Sequence, residues 1–569
     1  MDHAALHEIA HGLRRRDGLL GTATPVTGST AAEPLTADVV IVGAGVAGAL
    51  VAWKLAAAGV KVIVLESGPE VSRQDAVAAY QQSAVKLPET PYPSVPYAPR
   101  PSVANLQEYY VQEGPDLFSS TYERRVGGTT WHWLGTALRL VPNDFRLRTT
   151  YGVGVDWPVG YSELEPWYFQ AEQALGVAGD SSQDIGAPRR NPFPLPAIPQ
   201  TYLDRQVSIA VAKLGLTVAA TPQARNSVNY DGRPSCCGNA SCIPICPIHA
   251  KYDATAHTAK AVAAGAQIIP DAVVFQVEVA ADGLVTGVVY KSPDKSQHRV
   301  IGRIVVVAAH AIETPKLLLM SRTDRLPNGV ANSSGQVGRN LMDHPTQLSY
   351  ALATQPVYPY RGPLATSGIE SLRDGPFRRT RGAFRVEIGN DGWSWPGFDP
   401  VNLAPGLIAK DLRGAALIQE LQTQAARQIR LASLVEQLPD PANRIVPAFD
   451  RPDAIGIPRP KITYRVDGYT TAGMAAAKAL HQRIFDAVGT IEAHHGSQFF
   501  GAGHVMGTYR MGTNPKTAVV DPGSRAHDHR NLFLLGSGTF PTVGCSNPTL
   551  TIAALALRAA HAIQAELRR

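Results

Sequence analysis

Four of the five cysteines fall within eleven residues, as Cys236-Cys237-Gly-Asn-Ala-Ser-Cys242-Ile-Pro-Ile-Cys246, followed by Pro247. Disulfide scaffolds spread their pairs along a chain, so this clustering points elsewhere. Thiolates at short, turn-rich spacings suit a tetrahedral sulfur site, zinc or iron–sulfur. The C-x3-C-P ending matches ferredoxin-type spacing. Interleaved Gly, Asn and Pro let the backbone wrap a cluster and aim N–H groups at sulfur. Four sulfurs could bind zinc or [4Fe-4S]. Cys545 stands alone and reads as a small packed residue.

Sixteen histidines offer proton-transfer groups whose ordinary pKa lies near neutrality. His494-His495, His527 and His529 sit in polar, turn-like contexts and read as surface residues. His344, in Asp343-His344-Pro, reads as structural. His504, in Gly501-Ala-Gly-His504-Val-Met-Gly-Thr, follows a break after Phe499-Phe500.

The elements that must position such groups begin near the N-terminus. Asp38-Val-Val-Ile-Val reads as a buried parallel strand. It runs into Gly43-Ala-Gly45-Val-Ala-Gly48 and an Ala-rich helix to about Gly59. A second strand, Lys61–Leu65, ends at Glu66. Strand, glycines, helix, strand and acid together form the βαβ dinucleotide fingerprint in its required context. Gly43 permits the tight turn, Gly45 lets backbone approach a pyrophosphate, and Gly48 lets helix and strand pack closely. The helix N-terminus supplies N–H groups and partial positive charge. Glu66 can accept both ribose hydroxyl hydrogens. A second strand–turn pattern comes late, Asn531–Leu535 followed by Gly536-Ser-Gly538. Asn547-Pro548-Thr549 then opens an apolar helix through Ile563, with proline in the first turn. A C-terminal return to the nucleotide domain is typical of flavoproteins, so FAD is expected rather than NAD.

The length of 569 residues suggests two intimately connected domains. The net charge of +6 is carried by scattered residues, so no nucleic-acid binding is read from it. The longest apolar run, Val39–Trp53, is too short and glycine-rich to span a bilayer. Arg14-Arg15-Arg16 resembles a twin-arginine signal, but no sustained apolar region follows and no cleavable signal is read. Residues 1–36 read as a flexible arm.

From about Ala37 onward the sequence resembles the glucose–methanol–choline (GMC) oxidoreductase family. Gly127-Gly128-Thr129-Thr130-Trp-His132-Trp133 looks like its flavin-contacting loop, Ala311-Ile-Glu-Thr-Pro315 its second signature, and Val337-Gly-Arg-Asn-Leu-Met-Asp343-His344-Pro a further segment. Val141-Pro-Asn-Asp-Phe, Tyr230-Asp-Gly-Arg-Pro and Asp453-Ala-Ile-Gly-Ile-Pro narrow the match to catalytic subunits of bacterial FAD-dependent glucose and fructose dehydrogenases. The resemblance implies a Rossmann-type α/β FAD-binding domain with an α+β antiparallel-sheet substrate domain. It implies oxidation of a sugar or polyol hydroxyl carbon, with His504 as base and Asn547 as its partner on the substrate oxygen. It places Gly127, Gly128, Thr129, Thr130, His132, Trp133, Val274, Gly536 and Thr549 with Gly43, Gly45, Gly48 and Glu66 at the cofactor. In some relatives the His132 counterpart is linked covalently to the flavin. The cluster implied is [3Fe-4S] on Cys236, Cys242 and Cys246. Cys237 is the spare, since adjacent cysteines rarely reach one cluster comfortably.

The resemblance also implies a small chaperone-like subunit carrying the export signal and a cytochrome c subunit accepting electrons. Membrane association then comes only through a partner, at the periplasmic face of the inner membrane. Without an exported partner the expectation is cytoplasmic. No C-x-x-C-H haem motif is present, so the cytochrome is a separate chain. The expected division is 37–345 mostly FAD-binding with the iron–sulfur loop 234–250, 346–500 mostly substrate-binding, and 501–569 a return carrying catalytic residues. Within 346–500 the reading is aromatic turns at Gly392-Trp-Ser-Trp395-Pro, an amphipathic helix around Leu417–Leu434 and a strand at Lys461–Arg465. Glu436 and Asn443 could face sugar hydroxyls or serve caps and turns. Three positions depart from the narrower group: Gly135-Thr-Ala replaces an Ala-Ala-Ser-type stretch, His249 stands where Gly is usual, and His310 where Asn is usual. Two other readings remain open, an oxygen-using alcohol oxidase with a zinc-stabilised loop and a non-catalytic FAD-binding relay subunit.

Overall fold

Four consecutive β-branched residues, Val39–Val42, are all buried, as a strand covered on both faces requires. The computed structural model describes residues 33–83, 89–92, 94–392, 400–497 and 499–568. Residues 1–32 of the expected arm and 393–399 of the aromatic turn lie outside them.

The strand Leu35–Val42 pairs in parallel with Val62–Leu65 on one side and Gln297–Val307 on the other. Gln267–Ile269 extends the first edge, and Leu532–Leu534 pairs in parallel with Gln297–Val307. Val285–Lys291 and Val273–Val279 add antiparallel strands and complete a seven-stranded mixed sheet. The helix Val46–Ala56 packs against Thr549–Leu567 and Thr255–Ala263. Alanine and glycine on the first helix keep those partners close, and eight of its eleven residues are buried.

A second seven-stranded sheet runs Thr490–His495, Pro345–Ala353, Gln428–Val435, Phe384–Gly389, Ser367–Ile369 and Ala219–Ala220, with Phe500–Gly501 also on Pro345–Ala353. All its pairings are antiparallel. The 21-residue helix Gly468–Val488 covers one face, burying Met474, Ala477, Ile484 and Phe485 against Ala351, Val386, Ile388 and Leu431. Alternation turns Thr346, Leu348, Glu387, Arg430, Ala432 and Leu434 to the opposite face.

The structure corrects two readings. The expected helix Leu417–Leu434 ends early: Gly414–Ala425 is helical and buries no residue, while Gln428–Val435 is a fully buried strand. The period of two in Ile429, Leu431, Ser433 and Val435 prevails, because that side of the strand packs on the long helix. His495 and His529 are not simple surface residues. His495 lies on an edge strand with Nδ1 2.8 Å from Ser349 Oγ. His529 is buried, with Nε2 accepting from Ala331 N at 3.2 Å. Polar neighbours in sequence do not report which loop folds over a residue. Among the described residues no helix is long and apolar enough to cross a membrane.

Between helix and sheet, His481 bridges Ser433 Oγ at 2.9 Å and Ser349 Oγ at 2.8 Å. Burial first, then His495, pushes its pKa down to about 3. The folded value lies below the unfolded one, so the stabilisation is complete above about pH 6.5. It is lost as pH falls from there toward 3. The Tm of His481→Gln is expected to fall less steeply between pH 7 and 4 than that of the parent, measured by thermal unfolding.

Candidate active site

A cavity of about 1090 Å³ is lined by residues of both sheets. Gly43 turns at φ +102°, and a Cβ there would stand 2.5 Å from the Ala308 carbonyl oxygen. A Cβ on Gly48 would run into the Gly43 carbonyl, whereas at Gly45 nothing lies within 4 Å. Gly45 thus presents bare backbone to open space. The helix starting at Val46 has no side-chain cap and no acid in its first turn. Its orphan N–H groups are left for an anion. Glu66, buried at the cavity wall, accepts from Ala44 N at 2.9 Å and Gly68 N at 3.1 Å.

The loop Gly127–Trp133 lies across this turn. Gly127 N donates to Ala44 O at 3.1 Å, and Thr130 Oγ1 donates to Gly127 O at 2.6 Å. Gly128, Thr129, Thr130, His132 and Trp133 line the cavity. So do Val274, Gly536 and Thr549. Gly48 and Gly127 do not, and they hold the wall from behind. His132 Nδ1 lies 3.4 Å from Glu123 Oε1, a carboxylate that Arg100 and Arg125 also hold. An open glycine cradle, an uncapped helix start and a buried acid at the next strand end fit the pyrophosphate and ribose of FAD.

At the substrate end His504 and Asn547 line the same cavity. Asn547 Nδ2 lies 3.4 Å from His504 Nε2, and its buried Oδ1 has no partner. His504 Nδ1 lies 2.9 Å from His344 Nδ1, whose Nε2 lies 3.1 Å from the Gly544 carbonyl. A carbonyl only accepts, so His344 Nε2 carries the hydrogen and its Nδ1 accepts. His504 Nδ1 is therefore the donor, and His504 Nε2 is left with a lone pair. Burial pushes the His344 pKa down to about 4. Burial, then His344 and Arg385, holds His504 well below its ordinary value, so both rings are neutral at pH 7. Asp343 Oδ1 accepts from His504 N at 3.1 Å and Ala502 N at 3.2 Å, while its Oδ2 takes the Ser120 hydroxyl.

The cysteine loop forms part of the wall through Asn239, Ala240, Ser241, Ile243 and Pro244. Cys242 is buried, Cys236 and Cys246 are half-buried, and Cys237 is exposed. Gly238 N points at Cys236 Sγ (3.4 Å) and Lys251 N at Cys246 Sγ (3.5 Å). Burial first pushes the Cys236 thiol up, with Cys242 and Cys246 adding to it. Among the described residues no three His, Cys, Asp or Glu side chains are gathered closely enough to hold a metal ion. The donor chemistry suits iron–sulfur; the ligand triangle is not drawn together. Lys251, buried, ties the loop to the flavin segment by donating to Trp131 O and Trp133 O at 2.9 and 2.6 Å. Cys545 is buried, as expected of a packed residue.

Several residues take other places than their sequence context indicates. His344 touches His504 directly. Glu436 is fully buried and bound by Arg378 at 2.6 Å, and Asn443 caps backbone at Arg465. Neither lines the cavity, so the structural option holds for both. His249 and His310 have φ +62° and +73°. This left-handed backbone explains why Gly and Asn are usual there. Glu387 and Arg430 at the cavity were missed. The alternation in Phe384-Arg-Val-Glu-Ile-Gly389 was the available signal.

Gly45→Leu is expected to leave folding of the cofactor-free protein within about 1 kcal/mol, since its Cβ meets nothing. It should abolish the yellow colour. Thermal unfolding and flavin absorbance measured together check this.

Residues 147–346 and 448–556 match the two GMC oxidoreductase family profiles, and 38–175 match FAD dependent oxidoreductase. The fructose dehydrogenase large subunit of Gluconobacter japonicus is 41% identical over 547 residues, covering 94% of this chain and 99% of that one. The 2-methyl-1,2-propanediol dehydrogenase of Mycolicibacterium austroafricanum is 28% identical, covering 92% and 94%. The formate oxidase of Aspergillus oryzae shares the fold, with TM-score 0.61 at 15% identity, covering 95% and 100%. Similarity along nearly the whole length, joined to a glycine cradle and a two-sheet cavity, has one meaning: this chain is an FAD-dependent oxidoreductase and belongs to the GMC oxidoreductase family.

Proposed function

We propose that this chain is the catalytic subunit of a sugar or polyol dehydrogenase that oxidises a hydroxyl carbon to a carbonyl. The observation that carries this reading is the His504 Nε2 lone pair facing Asn547 in the cavity. His504 Nε2 takes the hydroxyl proton while the adjacent C–H leaves as hydride. Bound FAD supplies the acceptor for that hydride. Asn547 Nδ2 donates to the same substrate oxygen and stabilises charge as it develops. Asp343 and Ser120 fix the backbone that carries His504, and His344 fixes its tautomer. In this reading segments 37–345 and 501–569 hold the flavin and 346–500 the substrate.

Cys236, Cys242 and Cys246 are the proposed holders of a [3Fe-4S] cluster, which supplies one-electron transfer toward a separate cytochrome c. Two observations support it: the loop forms part of the cavity wall, and two backbone N–H groups point at sulfur. The relative named a large subunit supports an assembly with further subunits, for which a small chaperone-like subunit and the cytochrome are proposed. Attachment to the periplasmic face of the inner membrane would come through those partners.

Anaerobic addition of a sugar and polyol panel is expected to bleach the flavin, with iron near three per FAD and a cluster signal by low-temperature EPR. Zinc in place of iron, with turnover only in oxygen, would establish the oxidase reading instead. His504→Ala should remain yellow and reduce about 10²–10⁴-fold more slowly. Because the His504 pKa is depressed, the acid limb of kcat/KM should lie below pH 6.5, with activity lost as pH falls through it. A limb above 6.5 would remove neutral His504 from the base role.

A further inference from the structure

We infer that Glu387, with Asp391 and Arg430, forms a wall that reads the hydroxyl groups of a neutral polyhydroxylated substrate away from the reacting carbon. The inference rests on the proposed function and names what the substrate side of that site recognises. Glu387 and Arg430 project from neighbouring antiparallel strands, where Glu387 pairs with Ala432 and Gly389 with Arg430. They therefore share the sheet face that lines the cavity, and Asp391 lines it just beyond the first strand.

Their engagement differs from that of the buried ion pairs nearby. Glu370 takes the Arg385 fork at 2.8 and 3.0 Å, and Glu436 takes Arg378 at 2.6 Å. Glu387 is held loosely, with Arg385 Nη1 at 3.3 Å and Arg430 Nη2 at 3.6 Å. Its side chain is 4% exposed, so it lies away from bulk water at the wall of the cavity. A buried carboxylate gripped this weakly retains lone pairs for further donors. Hydroxyl groups of a sugar supply such donors, and a carboxylate can accept from two vicinal ones. Arg430, steadied by Asp391 Oδ1 at 2.7 Å, offers N–H donors to hydroxyl or ring oxygens.

The charge balance selects within that class. Arg373, Arg385 and Arg430 face three carboxylates, Glu370, Glu387 and Asp391. That balance leaves no surplus cation for an aldonate, whose own carboxylate would meet Glu387 or Asp391 at the cavity wall. Glycine at position 389, opposite Arg430, leaves room there, since a Cβ would strike the guanidinium.

The test uses full-length FAD-bound protein and stopped-flow flavin reduction by D-fructose, D-glucose, D-sorbitol and D-gluconate. Glu387→Gln keeps the side-chain shape. It is expected to lower kcat/KM for the neutral substrate about ten- to a hundredfold. The loss should appear in KM, with the saturating reduction rate within about threefold of the parent. Gluconate should be poor with the parent and relatively better with Glu387→Gln. If that variant does not retain FAD, Asp391→Asn, at the more exposed edge, carries the same comparison. Unchanged KM in the folded variant overturns the inference. So does a parent that prefers gluconate, which would make Arg430 an anion reader. If no neutral sugar or polyol reduces the parent's flavin, the proposed function itself falls. If they do and the variants match the parent, only this wall falls.

Discussion

The site depends on the pairing of one strand. Gln297–Val307 hydrogen-bonds in parallel to Leu35–Val42 and also to Leu532–Leu534. Val42 and Leu534 both pair with Val307, so the glycine turn and Gly536, on the approach to Asn547, emerge at the same end of the strand. The paired segments Val39–Val42, Ile304–Val307 and Leu532–Leu534 are buried, so a slip of one residue would expose apolar side chains and is strongly disfavoured. Register fixed in this way sets the spacing between the glycine cradle and the His504–Asn547 pair.

Around that ladder the protein buries polar groups with unequal completeness. The Arg378 network is tightly satisfied, with carboxylates of Asp144 at 2.8 Å, Glu436 at 2.6 Å and Asp374 at 3.1 Å. It holds the antiparallel sheet to the 142–146 turn. Removing one member would strand a buried charge, which costs several kcal/mol. The cavity holds a less satisfied pair. Asn547 Oδ1 has no partner and His504 Nε2 meets only a 3.4 Å neighbour. The unspent hydrogen-bonding capacity of this pair lies where a ligand would use it.

What the sequence made legible followed from how local the cause was. The βαβ turn could be read because glycine spacing, strand hydrophobicity and the acid at Glu66 lie within thirty residues. The family resemblance carried His504 and Asn547. The role of His344 could not be read, because its meaning arises from a contact with a residue 160 positions away. The Gln428–Val435 strand was taken as helix because a fully buried strand shows weak alternation when both faces are covered. His529 looked exposed because its environment is supplied by Gly283 and Ala331, not by its neighbours in sequence. The cysteine spacing indicated a metal-binding loop, but spacing alone does not draw three thiols into a triangle.

The position of Leu532–Leu534 in the central sheet has a consequence for biosynthesis. Translation proceeds from the N-terminus, and this short strand emerges long after its partner Gln297–Val307. Until then Gln297–Val307 shows a bare hydrogen-bonding edge along Val305–Val307, an invitation to non-native pairing. Closure of the nucleotide-binding half must wait for that strand, so prosthetic-group loading follows its synthesis.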